Sequence, residues 1–208
     1  MTTEDAHWDA VYGARTEAAL TWFEADPRLS LRWITAFADH DDPVIDIGGG
    51  ASRLMDALLD LGYARPSYLD LSQAALAVSR ARLGARGESV TWIVADVTRW
   101  DAPHAAYALW HDRAAFHFLT APGQRAAYVA RMAQALRPGG HAVIMTFAED
   151  GPDRCSGLPV WRTSSKTLAD EIALHAPGAF VPVTSARHLH RTPTGAEQPF
   201  QTLVLRRA

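Results

Sequence analysis

The stretch Val44-Ile45-Asp46-Ile47-Gly48-Gly49-Gly50-Ala51-Ser52 constrains this chain more than any other. Its first four residues suit a buried strand, and three glycines then break it. Beyond them Leu54, Met55, Leu58, Leu59 and Leu61 recur at helical spacing up to Gly62, where a helix can stop. The pattern predicts strand, tight turn, helix. Glycine admits positive φ and lets a ligand approach where a Cβ would clash. The first turn of the helix also offers unpaired N–H groups to a polar ligand. Twenty residues past Gly50, the short apolar stretch Ser67-Tyr68-Leu69 ends in Asp70. An acidic residue at the tip of a second strand, facing a glycine turn after the first, is how a doubly wound sheet holds a ribose.

The identity of that ligand turns on the glycine spacing. A dinucleotide fingerprint needs glycine at the last place of G-x-G-x-x-G, where strand and helix pack closely around a pyrophosphate. Counting from Gly48, that place holds Arg53, which argues against NAD. The string D-I-G-G-G-A-S instead resembles the first motif of class I S-adenosylmethionine methyltransferases, D/E-x-G-x-G-x-G, with Ser52 at the last glycine. Leu136-Arg137-Pro138-Gly139-Gly140, before a strand His141 to Phe147, resembles the late motif of the same family. The resemblance spans about residues 40 to 148. It implies that Gly48, Gly49 and Gly50 give close backbone approach to S-adenosylmethionine, which leaves as S-adenosylhomocysteine. It also implies that Asp46 orders the turn or meets the methionine amino end, and that Asp70, beside Leu71, holds the ribose. Asp96, after the third strand Val90 to Val94, would accept from the adenine amino group, with the Val97 N–H nearby. Taken as residues alone, these aspartates could simply end strands as turn formers.

At 208 residues the chain fits one α/β domain with a modest addition, since domains mostly run to about 100–200 residues. The expected fold is a doubly wound, mostly parallel seven-stranded sheet with an antiparallel C-terminal hairpin strand and helices on both faces. Within it, 1–30 would be an aromatic lid segment, 40–148 the cofactor-binding core, and 149–208 an acceptor-side loop, helix and hairpin. A net charge of −3 with mixed signs offers no basic stripe for nucleic acid. The single Cys155 cannot form an internal disulfide and fits a reducing, cytoplasmic compartment. No apolar run reaches the ~20 residues of a membrane span. The histidines are scattered and no paired-cysteine or H-E-x-x-H spacing occurs, so no metal is expected.

The leader is unusually aromatic. Trp8 and Tyr12 lie four apart, hence on one helical face, and Trp22 follows. These rings could staple a helix to the domain, or roof the cofactor, since aromatic faces attract cations by about 0.5–2 kcal/mol. The pattern W-D-x-x-Y…W-F resembles the openings of seven-strand protein-lysine methyltransferases and, more loosely, thiol methyltransferases. A fourth strand is expected over Ala105 to Trp110, with His111-Asp112-Arg113 following it at the sheet's carboxyl end, where ligands bind. His111 and Asp112 are therefore candidates for removing an acceptor proton, with His117 behind them. A structural ion pair or a helix cap is the bland reading of the same triplet. Trp8, Phe116, Phe147, Cys155 and His190 are the candidate acceptor-side residues.

The expectation is methyl transfer to a small molecule by in-line displacement, with alignment worth several kcal/mol. A protein-lysine acceptor is the alternative, although His111-Asp112-Arg113-Ala114 stands where those enzymes carry D-K-G-T. An NAD(P) oxidoreductase and a non-catalytic partner subunit of the same fold are the readings from other classes. The oligomeric state is not legible.

Overall fold

The computed structural model describes residues 3–14 and 16–208. Helix α1 (Thr3–Ala14) and α2 (Arg28–Phe37) precede β1 (Val44–Ile47), and α3 (Leu54–Asp60) follows the glycine turn. Next come β2 (Pro66–Asp70), α4 (Gln73–Leu83), β3 (Thr91–Val94), β4 (Tyr107–Arg113), α5 (Pro122–Ala135) and β5 (Leu136–Phe147). A small hairpin, β6 (Arg154–Cys155) and β7 (Leu158–Pro159), leads to α6 (Ser165–His175), β8 (Phe180–Arg191) and β9 (Glu197–Arg207). The main sheet has seven strands in the order β3-β2-β1-β4-β5-β9-β8. All neighbours are parallel up to β5, and β9 runs antiparallel between β5 and β8. This is the doubly wound mixed sheet expected from the sequence.

Strand alternation builds two cores. Val44 faces α2, α3 and α4, packing with Trp33, Ile34, Met55, Leu58 and Leu76. Ile45 and Ile47 face α5 and α6, packing with Tyr128, Val129, Met132, Leu168 and Ile172. β1 is buried on both faces along its whole length, as a central parallel strand must be. Because β2 lies on one side of it and β4 on the other, the chain reverses direction across the sheet at this strand. The resulting crevice opens beyond the carboxyl ends of β1 and β4, the usual ligand position.

Local chemistry sets the element ends. Ser72 caps α4, its Oγ accepting from the Ala75 N–H at 3.1 Å. Pro122 sits in the first turn of α5, where its missing N–H costs nothing. Pro138-Gly139-Gly140 does not precede β5 but bulges out within it: Tyr107 pairs with Leu136, and Leu109 already with His141. Gly140 lies so close to β4 that a Cβ there would stand 2.9 Å from the Ala108 carbonyl oxygen. The loop expected over 148–160 contains the β6–β7 hairpin. The fourth strand runs to Arg113, three residues past the expected end at Trp110. Among the described residues no helix is long and apolar enough to cross a membrane.

Candidate active site

Two carboxylates mark adjacent strand ends. Asp70 closes β2; its Oδ2 accepts the Gly50 N–H at 2.8 Å and its Oδ1 the Ser72 N–H at 2.7 Å. Each oxygen keeps a second lone pair, and Asp70 lines the cleft. Burial lifts the carboxyl to about 6 against the pull of these two N–H groups. Asp96, two residues past β3, accepts from the Thr98 N–H at 2.8 Å and the Thr98 hydroxyl at 2.7 Å through one oxygen. Leu71 and Val97 continue the same wall. The cleft between these residues and the β4 end encloses about 230 Å³.

The glycine turn is tightened by the protein itself. Gly48 and Gly50 take φ of +63° and +61°. A Cβ on Gly48 would lie 2.4 Å from that of Ala115, so the turns after β1 and β4 touch. One on Gly49 would lie 1.7 Å from the Tyr68 ring, and one on Gly50 2.0 Å from the Tyr12 hydroxyl. The Gly50 carbonyl accepts from the Tyr68 hydroxyl at 2.9 Å. These glycines serve packing as well as ligand approach, and Gly50 supports the cleft without lining it.

The leader lies over the cleft. Trp8, Tyr12 and Trp22 all line it, with ring centroids 5.9–6.4 Å apart. Trp8 also meets Phe118 edge to face at 5.1 Å, which joins roof to far wall. Asp9 on α1 accepts the Ser72 hydroxyl at 2.6 Å and the Ala74 N–H at 3.3 Å, fastening the roof to the start of α4. The Tyr12 hydroxyl is pushed well above its usual range by burial and by the Asp70 charge.

The far wall is mostly apolar: Phe118, Leu119, Cys155, Leu158 and Pro159, with Thr120 and Gln124 at its edge. Cys155 faces the cleft as expected residues go, and burial lifts its thiol to about 11. Phe118, Leu119 and Gln124 escaped the sequence reading, whereas Arg113 belongs to the triplet expected at the sheet's carboxyl end and does line the cleft. Arg113 donates to the Trp22 carbonyl at 3.0 Å and pairs with Glu24 at 2.9 Å. No motif marks the other three.

A smaller chamber of about 40 Å³ lies on the other side of Gly48, sharing Trp22 and Arg113 with the cleft. Asp46, Gly49 and His111 line it. Asp46 on β1 and His111 on β4 are register partners, and His111 Nδ1 lies 2.7 Å from Asp46 Oδ1.

Five candidates lie elsewhere. Asp112, one residue along the strand from His111, points to the opposite face of the sheet and is fully buried. Its carboxylate accepts from the Tyr128 hydroxyl at 2.7 Å and from the Ala115 and Phe116 N–H groups at 2.9 and 3.0 Å. The Tyr128 hydroxyl in turn accepts from Trp110 Nε1 at 2.7 Å. Asp112 thus fixes the turn after β4 and faces neither cavity. Burial lifts its carboxyl to about 6. His117 is buried against Phe118 and Phe147, and its Nδ1 accepts from the Phe147 N–H at 3.4 Å. Burial, with Arg113 nearby, drops its imidazole to about 3, so it stays neutral. Phe116 packs between Tyr128 and Trp161, and Phe147 against Phe200; both are core residues. His190 is a tether: Nε2 donates to the Thr21 carbonyl at 2.9 Å while Nδ1 faces Glu24 at 3.2 Å.

Residues 44–140 match a protein family described as a methyltransferase domain. No curated protein matches the chain. Among solved structures, one from work on conversion of a disulfide bond into a thioacetal group during echinomycin biosynthesis shares 22% identity at a TM-score of 0.79, over 98% of this chain and 92% of that one. The Burkholderia thailandensis 1,6-didemethyltoxoflavin-N1-methyltransferase, with 1,6-didemethyltoxoflavin and S-adenosylhomocysteine bound, shares 21% at a TM-score of 0.72, over 99% and 84%. The [4+2]-cyclase SpnF shares 12% at a TM-score of 0.70, over 97% and 92%. At such identities the likeness is one of fold.

Proposed function

This chain carries a class I S-adenosylmethionine-dependent methyltransferase domain, and on that premise we propose that it methylates a small molecule held under the aromatic roof. S-Adenosylmethionine is the cofactor, supplying a methyl group already activated on a charged sulfur. The observation that carries the proposal is the cleft itself: carboxylates at two neighbouring strand ends on one side, an apolar wall on the other, and three aromatic rings above.

The residues fit the cofactor. Asp70, with both oxygens pinned by backbone N–H groups and a lone pair left on each, would hold the ribose hydroxyls. Asp96 keeps one oxygen outside its turn with Thr98 and would take the adenine amino group, between Leu71 and Val97. The roof rings would exclude water and favour a cationic sulfur. Phe118, Leu119, Leu158 and Pro159 support an acceptor with an apolar body of modest size. The roof that covers it supports a free small molecule over a protein side chain.

The titration of the acceptor side supports one further restriction. Cys155 and Tyr12 both stay protonated at neutral pH, and Arg113 has no acceptor atom. His117 and Asp112 are turned inward. We therefore propose an acceptor whose lone pair is available without a proton being taken by these groups, such as a thiolate or an unprotonated ring nitrogen.

Calorimetry tests the cofactor side: S-adenosylhomocysteine should bind, and NAD and NADP should not. A dinucleotide that binds while S-adenosylhomocysteine fails at high micromolar concentration overturns the reading. Transfer of labelled methyl to a panel of small thiols and nitrogen heterocycles, against lysine-bearing peptides, tests the acceptor side. Turnover of peptides alone would reject the small-molecule acceptor.

A further inference from the structure

Arg113 stands at one end of the cleft with part of its guanidinium uncommitted. Nη1 donates to the Trp22 carbonyl at 3.0 Å, while Nη2 faces Glu24 at 2.9 Å and His190 Nδ1 at 3.3 Å. Among the described residues none takes the Nε–H or the second hydrogen of Nη1. The counterion lies to one side: Glu24 lines the smaller chamber and not the cleft. The other charged residues of the cleft wall are Asp70 and Asp96, both at the strand ends read above as the nucleoside side. The acceptor side therefore has one charged group among the described residues, and it is a cation.

Its field reaches the far wall. Burial lifts the Cys155 thiol while Arg113 pulls it down, and Arg113 adds to the burial that keeps His117 neutral. On β8, His188 is dropped to about 4 by burial and by Arg113, and His190 completes the titratable neighbours. The same potential acts on any group seated against Phe118, Cys155 and Leu158.

Magnitudes select the acceptor. An opposite charge at near-contact distance lowers an acid by about one to three units. The lower figure takes a thiol from about 8.5 to about 7.5, so that much of it is ionised near neutral pH, whereas a phenol near about 10 stays protonated. A neutral ring nitrogen gains nothing from the cation and would end the reaction as a second cation beside it.

Resting on the small-molecule reading above, we propose that Arg113 selects an acceptor that binds as a thiolate and is the group that holds its charge. The thiol proton leaves to solvent on binding. The thiolate lone pair forms the new S–C bond as the sulfonium S–C bond breaks, the electron pair of the broken bond staying on the departing sulfur. Both charges vanish, and no base is required.

Binding to the S-adenosylhomocysteine complex isolates this charge, because that complex cannot turn over and has no charged sulfur. The probe is phenylmethanethiol, followed by thiolate absorbance from about pH 7 to 10, where histidines are neutral, with phenylmethanol as the uncharged isostere. The bound thiol should ionise about one unit or more below the free thiol, and its affinity should rise about tenfold or more as pH passes through that range. Phenylmethanol affinity should stay flat. Arg113→Gln should abolish the displacement and still bind phenylmethanol, and Arg113→Lys should restore part of it. Should Arg113→Gln not fold, since Arg113 also ties down the leader, the titration of the wild-type complex decides alone. An undisplaced titration there, or a displacement that survives Arg113→Gln, overturns the proposal. Equal loss of both probes in a folded variant would make Arg113 a structural tether and overturn it too. A wild-type complex that takes neither probe at millimolar concentration also overturns it, while its bound S-adenosylhomocysteine keeps the cofactor reading. Turnover of lysine peptides alone would remove the small-molecule reading and this inference together.

Discussion

Replacing Asp70 by alanine should separate ligand binding from folding more cleanly than any other change in this protein. Two opposed effects act on the fold. Raising a buried carboxyl from 3.8 to about 6 costs the folded state about 3 kcal/mol at neutral pH, a cost absent below pH 4 and complete above pH 6. Alanine removes it. Against this, the Gly50 and Ser72 N–H groups lose their acceptor, at about 1–3 kcal/mol each, less where cleft water replaces it. The two nearly cancel, so the variant should stay within about 2 kcal/mol of wild type by urea denaturation at pH 7.5. Binding has no such compensation. Two charge-assisted bonds to the ribose are worth about 1.5–3 kcal/mol each, so S-adenosylhomocysteine affinity should fall at least a hundredfold by calorimetry. The wild-type protein should lose affinity as pH falls through about 6 and Asp70 takes up a proton, and the alanine variant should not show that step. A loss of less than tenfold in a folded variant would refute the ribose role.

Tyr128→Phe leaves Asp112 and Trp110 without their shared hydroxyl and should cost about 3 kcal/mol at pH 8 in urea. The loss should shrink at pH 5, since Asp112, lifted to about 6, is then protonated and no longer needs the donor; a loss that grows on acidification would count against the network. Gly49→Ala should destabilise by about 3 kcal/mol or more, because its Cβ would fall 1.7 Å from the Tyr68 ring. Gly62→Ala is the control: φ is +86° but the space is open, so thermal melting should report only about 1–2 kcal/mol. With a series of thiol acceptors of different acidity, the pH at which the rate levels off should follow the acceptor. A constant break across the series would reveal a protein base.

The glycine turn, Asp70 and Asp96 were legible because each sits at a strand end that local composition marks. β4 was misjudged for a simple reason. Ending it at Trp110 made His111, Asp112 and Arg113 look like one cluster in a loop, whereas the strand continues through them. On a strand, neighbours point to opposite faces, so His111 and Arg113 go to the cavities and Asp112 to the α5 side. Once the aspartate is inward, Phe116 and His117 follow it, because its carboxylate holds the turn that carries them. His190 shows a different difficulty. Its partners, Thr21 and Glu24, lie more than 160 residues away, and no local pattern announces such a tether.

The bond from Asp9 to Ser72 and Ala74 has an outcome for any shortened version of the protein. A chain begun after Ala14 would do more than uncover the proposed nucleoside site. It would also deprive the opening turn of α4 of its outside acceptor, and that turn follows directly on Asp70. Trimming the front of the protein should therefore loosen the proposed hold of Asp70 on the ribose from beneath as well as from above.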